Sequence, residues 1–281
     1  LFKYAPLGGK LTLISRIGKI AANLDQGEFA CAMSANANAG TDTESRVDWA
    51  TIDWEQIHER LKGSHPREIL RWAVDTFYPR LTMATAFGPE GCLIIHMLAE
   101  IEPRVRVFNL ETGYQFTETL ELRDRIADRY GVEVELVRPD TTVPEYEAAH
   151  GGPLYTSNPD RCCHDRKIVP LRRAVAGYDA WISSIRADQS AHRAKARVAG
   201  WDSKFGLVKV NPLLSWTYRD VWAFVVANKV PYNPLHDRGY PSIGCWPCTR
   251  SVVNGEDERS GRWAGQAKTE CGLHSLDSSQ L

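Results

Sequence analysis

The stretch Leu81-Thr-Met-Ala-Thr-Ala-Phe-Gly-Pro-Glu-Gly91, running on into Cys92-Leu-Ile-Ile-His-Met-Leu-Ala99, decides the fold. Leu81 to Ala86 is a short apolar run of strand length, and Phe87-Gly88-Pro89-Glu90-Gly91 carries the turn residues that end it. The apolar segment Cys92 to Ala99 that follows reads as a helix buried on most of its sides. Proline is favoured at the first helical position, and the open amides of a helix start attract phosphate or sulfate. Taken alone, the turn reads equally well as an ordinary strand-to-helix connection. It lacks the Lys-Ser/Thr of a Walker loop, which disfavours ATP hydrolysis of that kind.

Working outward, Val105 to Leu110 and Val132 to Val137 read as further strands, with a helix from about Phe116 to Tyr130 between them. A helix near Ile168 to Ala176, strands at Trp181 to Ile185 and Leu207 to Val210, and a helix from Tyr218 to Asn228 follow. This alternation predicts an α/β fold, a parallel sheet with helices on both faces. Ligands in such sheets bind beyond the carboxyl ends of the strands. Upstream, Trp49 to Leu61 and Pro66 to Phe77 read as two amphipathic helices. From Pro231 onward the chain becomes rich in Gly, Pro, Arg and Cys, and reads as a mobile arm rather than a second domain. The expected division is a disordered or adventitious tail over residues 1–45, an α/β domain over 46–235 and a Cys/Arg/Gly-rich segment over 236–281. Met33 is the first methionine, and residues 1–32 are expected to be upstream read-through or a start-site artefact.

The chain has 281 residues with formal net charge −1, so no global basic field points to nucleic acid or an acidic membrane. Local arginine clusters then call for a small anionic ligand or for no ligand at all. No apolar run reaches the ~18–20 residues of a membrane span, and Leu11 to Ile14 is too short for a secretory core. A cytoplasmic protein is expected. Seven cysteines, an odd number, argue in a reducing compartment for metal-binding or catalytic thiols rather than a disulfide framework.

Cys162-Cys163 and Cys245-Trp-Pro-Cys248 carry the strongest chemical signal. The second pair alone suits zinc, an iron–sulfur cluster or a redox dithiol. Adjacent cysteines diverge, which fits two irons of one larger cluster better than one small ion, so a 4Fe-4S cluster on Cys162, Cys163, Cys245 and Cys248 is expected ahead of zinc. Cys92 reads as a small core residue, and Cys31 lies in the tail. Cys271, in Lys268-Thr-Glu-Cys-Gly-Leu-His274, follows a glycine-punctuated arm and is read as a nucleophile rather than an incidental thiol. Glu270 works against its thiolate, so cations must compensate. Lys167, Arg186, Arg193, Arg259 and Arg262 are the candidates to meet an anion, while Lys195, Arg197 and the Arg172-Arg173 pair read as solvated.

Together these residues resemble the sulfonucleotide reductase family over about residues 50–275. Four segments carry the resemblance: Phe87-Gly88-Pro89-Glu90, Cys162-Cys163-His-Asp-Arg166-Lys167, Ile243-Gly-Cys-Trp-Pro-Cys248-Thr-Arg250, and Glu270-Cys271-Gly272-Leu273-His274. The resemblance implies a modified pyrophosphate-loop fold, of the adenine nucleotide alpha hydrolase type. It implies that Cys271 attacks the sulfur of adenosine 5′-phosphosulfate (APS), expelling AMP and leaving an S-sulfocysteine, from which thioredoxin or a similar dithiol releases sulfite during sulfate assimilation. Both cysteine pairs go with APS in this family, and the 3′-phosphorylated substrate (PAPS) is the alternative. A pyrophosphate-loop ATPase that modifies tRNA is a further alternative, although its Ser-Gly-Gly-x-Asp-Ser loop is absent here. Thr85, Phe87, Gly88, Glu90, Lys167, Arg186, Arg193, Arg259, Arg262 and His274 are the expected substrate-binding residues. Two departures touch this list: Ala86 stands where the family loop carries serine, leaving Thr85 to supply the hydroxyl, and Glu111 precedes Thr112-Gly113 where aspartate is more common. Family analogy also implies a homodimer or homotetramer.

Overall fold

Side-chain alternation along the strands divides the interior into two layers. In the computed structural model, which describes residues 47–253, 256–268, 270 and 272–274, β1 (Leu81–Thr85) puts Leu81 and Met83 into the larger apolar cluster. Val107 of β2 (Arg106–Leu110) joins that cluster. Phe108 enters the second cluster on the opposite face, because successive side chains on a strand point to opposite sides. Ala180 and Ile182 of β4 (Ala180–Ile182) face the first layer while Trp181 faces the second. The first layer is closed by α2 (Pro66–Phe77), α3 (Pro89–Ile101), α4 (Thr117–Tyr130) and α9 (Tyr218–Ala227), and the second by α8 (Val169–Val175). Helices therefore cover both faces, as the alternation of elements predicts.

The sheet has six strands in the order β3-β2-β1-β4-β6-β5, where β3 is Val134–Val137, β5 Ala199–Asp202 and β6 Leu207–Val210. Five strands run parallel, and β5 is antiparallel to β6. The parallel sheet expected from the sequence thus gains one antiparallel edge: residues 203–206 make a tight turn, and so short a link joins only antiparallel neighbours. The chain builds outward from β1 through β2 to β3, then returns to β4 on the other side of β1. The reversal of strand order thus falls at the end of β1, where open α/β sheets bind ligands.

Helix α3 is apolar nearly all round because it is buried nearly all round: Cys92, Leu93, Ile94, Ile95 and Met97 have no exposed surface. Full burial of such side chains contributes about 1.5–3 kcal/mol each. The expected helix over Trp49 to Leu61 is divided into a single 3-10 turn at Trp49–Thr51 and α1 (Trp54–Leu61). Asp53 causes the break, since its carboxylate accepts from the Glu55 and Gln56 amides and starts a new helix. The region after β3 holds helices the sequence reading left out: α5 (Val143–His150), closed at its start by the Thr142–Glu145 capping box, then α6 (Leu154–Ser157) and α7 (Pro159–Cys163). Described residues from Trp49 onward belong to one compact unit. No helix among the described residues is long and apolar enough to cross a membrane.

Candidate active site

A cavity of about 1250 Å³, its open mouth included, lies at the carboxyl ends of β1, β2 and β4. Thr85, Gly88 and Glu90 from the decisive turn line it, with Asn109 and Leu110 at the end of β2 and Ser183, Ser184 and Ile185 after β4. Gly88 caps α3 and Pro89 opens it, as the sequence predicts. The buried Thr85 hydroxyl accepts from the Phe87 amide at 3.0 Å. Gly91 is held to glycine because a Cβ there would lie 2.5 Å from that same hydroxyl. Phe87 departs from its expected role. Its backbone takes a positive φ of 56° and its ring joins the core, so it shapes the turn rather than lining the cavity.

The expected cations separate into two groups. Arg186 has no exposed surface and is surrounded by Glu90, Asp188 and Glu258, the last two at 2.8 Å. It balances protein carboxylates and does not line the cavity. Burial pushes the Glu258 carboxyl up, and the charge of Arg186 only partly offsets this. Lys167, Arg193, Arg259 and Arg262 do line the cavity. Arg193 and Arg259 both meet the Glu270 carboxylate. Arg262 stacks its guanidinium 4.5 Å over Trp263 and passes the bare backbone of Gly244, whose missing Cβ makes room for it. Its buried Nε has no hydrogen-bond partner among the described residues. Glu111 Oε1 accepts from the Gly113 amide at 2.8 Å, so this acid closes its own turn.

The two cysteine pairs come together. Cys162, Cys163, Cys245 and Cys248 line one small void, alongside Tyr114, Tyr155, Pro159 and Pro247. The first pair ends α7, and residues His164–Ile168 continue the helix as one π turn before α8 begins. Single π turns recur where a helix must re-aim side chains at a site. Burial, together with the negative charge of the other three sulfurs, pushes the Cys162 thiol up to about 12; burial and the Cys245 and Cys163 sulfurs raise Cys248 to about 11. No three His, Cys, Asp or Glu side chains among the described residues converge on a single ion position. The all-sulfur donor chemistry of these four residues is of the kind that iron–sulfur clusters use. Thr112 Oγ1 stands 3.3 Å from Cys245 Sγ, and Arg166 is locked in place by the Thr112 and Thr141 carbonyls. Thr112, Lys167 and Cys245 line both this void and the larger cavity.

Cys271 and Cys31 lie outside the described residues. His274 is described: its ring is parallel to Trp181 at 6.1 Å, and Nδ1 is 3.3 Å from Lys209 Nζ. Burial and the nearby Lys209, Arg193 and Arg259 hold it well below the ordinary histidine range, so it lines the cavity as a neutral ring. Sequence reasoning missed Asn109, Gln115, Gln189 and His236 in the lining. Position at strand ends could have pointed to Asn109. His236 sits in the short 3-10 helix Pro234–Arg238, too short for a periodic signal, and burial takes its ring down to about 4.

The phosphoadenosine phosphosulfate reductase domain family matches residues 80–251. A phosphoadenosine 5′-phosphosulfate reductase from Gloeobacter violaceus is 47% identical, over 81% of this chain and 95% of that one. Adenosine 5′-phosphosulfate reductase 1 from Bacillus subtilis is 45% identical, over 73% and 89% respectively. Among solved structures, the phosphate complex of PAPS reductase from Candida auris matches with a TM-score of 0.63 and 30% identity, covering 77% of this chain and all of that one. The fold, the strand-end cavity and these relatives agree, and the chain belongs to the phosphoadenosine phosphosulfate reductase domain family.

Proposed function

We propose that the protein reduces APS to sulfite and AMP, with Cys271 as nucleophile and a dithiol such as thioredoxin as reductant. One observation carries the choice of substrate and cofactor: the cation-lined cavity and the four-thiol void share Thr112, Lys167 and Cys245 as a common wall. In the reaction, the Cys271 thiolate forms a bond to the sulfate sulfur as the sulfur–oxygen bond to AMP breaks. The electron pair leaves on the AMP phosphate, where Lys167, Arg259 and Arg262 stabilise the developing charge in a partly dry cavity. One thiol of the donor then attacks the Cys271 sulfur, sulfite departs with its electron pair, and the donor's second thiol closes a disulfide. The donor loses two electrons and the sulfonucleotide sulfur gains them. Neutral His274 serves to hold an oxygen by hydrogen bonding.

Cys162, Cys163, Cys245 and Cys248 would hold a 4Fe-4S cluster, which would supply a fixed charge distribution beside the substrate cavity. Reduced thiols at this density suit a cytoplasmic setting.

The PAPS reading draws on the names of the Gloeobacter relative and the Candida auris structure. Steady-state sulfite release with reduced thioredoxin, measured on APS and PAPS with iron and sulfide analysis of the same sample, separates the readings. A brown protein with about four irons per chain and a higher kcat/KM on APS is the expected result. A colourless zinc protein, or preference for PAPS, contradicts the proposal.

A further inference from the structure

Glu270, the residue before Cys271, has two guanidinium partners. Arg193 grips its carboxylate as a fork, Nε to Oε1 and Nη2 to Oε2, each at 3.0 Å. Arg259 Nη2 donates to Oε2 at 3.2 Å, and the Ser190 hydroxyl donates to Oε1 at 3.3 Å. Both arginines line the nucleotide cavity, and Arg193 is 7% exposed. Buried forked contacts of this kind are the strong, direction-fixing class of hydrogen bond. On the other side of position 271, Lys204 Nζ donates to the Gly272 carbonyl, and His192 Nε2 donates to the His274 carbonyl at 3.1 Å. The chain is therefore held by side-chain hydrogen bonds immediately before and after that position, and Leu273 and His274 line the cavity.

The sequence alone makes Glu270 a poor neighbour for a thiolate. Two guanidinium groups reverse that, since they neutralise the carboxylate and leave local positive charge in excess. A carboxylate cannot itself hold a phosphosulfate, so its contribution must be to placement. We propose that Glu270 is a positioning residue: its clasp on Arg193 and Arg259 seats the segment that carries Cys271 against the cavity. The role rests on the reading of Cys271 as the nucleophile.

Glu270→Gln keeps the shape and removes the charge. Misplacing a nucleophile by about 1 Å costs on the order of a hundredfold, so kcat for sulfite release from APS should fall by about ten- to a hundredfold. KM for APS and the AMP dissociation constant should stay level or fall, because Arg259 loses a competing anion. Iodoacetamide alkylation of Cys271, located by peptide mass, should become faster, since a negative neighbour is gone and the guanidinium charges are uncompensated. Glu270→Asp should recover part of the lost kcat. Wild-type kcat in Glu270→Gln overturns the proposal, as does a rise in KM alone, or alkylation slowing in step with turnover. If Glu270→Gln does not fold, Glu270→Asp decides the matter: reduced kcat at level KM supports the clasp and wild-type kcat refutes it. Wild-type enzyme is assayed alongside; failure to release sulfite from APS would refute the functional reading, while the alkylation comparison still judges the clasp.

Discussion

Arg186 illustrates how much a single residue's surroundings change its meaning. As a sequence feature it is an arginine just after a strand, placed where an anion binds. In the fold it is fully buried, and its partners Glu90, Asp188 and Glu258 come from three separated parts of the chain. Asp188 is only two residues away, but no local pattern announces Glu90 or Glu258, so its role was not legible. Removing it would strand buried carboxylates, and breaking a buried ion pair from one side typically costs 3–5 kcal/mol. Arg186→Met should therefore lower unfolding free energy in urea by about that range; a loss below about 1 kcal/mol, the worth of a surface pair, contradicts the assignment. Arg262 is the opposite case, a guanidinium facing the cavity with an unpaired Nε. A hydrogen bond to a charged group contributes about 1.5–3 kcal/mol, so Arg262→Leu should weaken AMP binding by about ten- to a hundredfold in calorimetry. Unchanged AMP affinity would remove Arg262 from the phosphate site.

Among the elements, the turn from β1 to α3 was the most legible, because proline, glycine and an unbroken apolar run each act locally. The parallel strands were legible for the same reason, through composition and spacing. The short helices α6 and α7 were not, since four or five residues carry no periodicity. The π turn at His164–Ile168 was also invisible, although it sets the angle between the first cysteine pair and Lys167. A π turn holds one residue more than the α turn it replaces. Deleting His164, whose side chain is half exposed, should restore an α turn and rotate Cys162 and Cys163 by about 100° relative to Lys167. The expected result is a folded protein by circular dichroism that has lost most of its iron and its visible colour. Full iron content in the deletion would show that the π turn does not aim the ligands.

For the molecule as a whole, the joining of two cavities by a shared wall is a long-range outcome: the cysteine pairs are far apart in sequence and meet only through the crossover connections. The sequence pointed to candidate residues for the chemistry, but not to which cations line the cavity and which are paired with carboxylates. The same burial makes stability depend on pH. His236 and His274 both bind protons less readily folded than unfolded, from an ordinary value of 6.5 down to about 4 for His236 and well below 6.5 for His274. The unfolded chain then holds more protons below pH 6.5, so stability is full above that value and falls as pH drops toward the folded pKa values. The slope should approach about 1.4 kcal/mol per pH unit for each histidine. Urea melts at pH 7 and 5.5 check this, and equal or greater stability at 5.5 contradicts it. The central claim is that Cys271 takes the sulfonate from APS, and intact-mass and peptide-mass analysis of the protein mixed with APS in the absence of any dithiol tests it most directly. The account predicts one sulfonate on the peptide containing Cys271, stoichiometric AMP, release of the adduct as sulfite on adding reduced thioredoxin, and no adduct in Cys271→Ser. AMP and sulfite formed without any adduct, or an adduct on another residue, would contradict it.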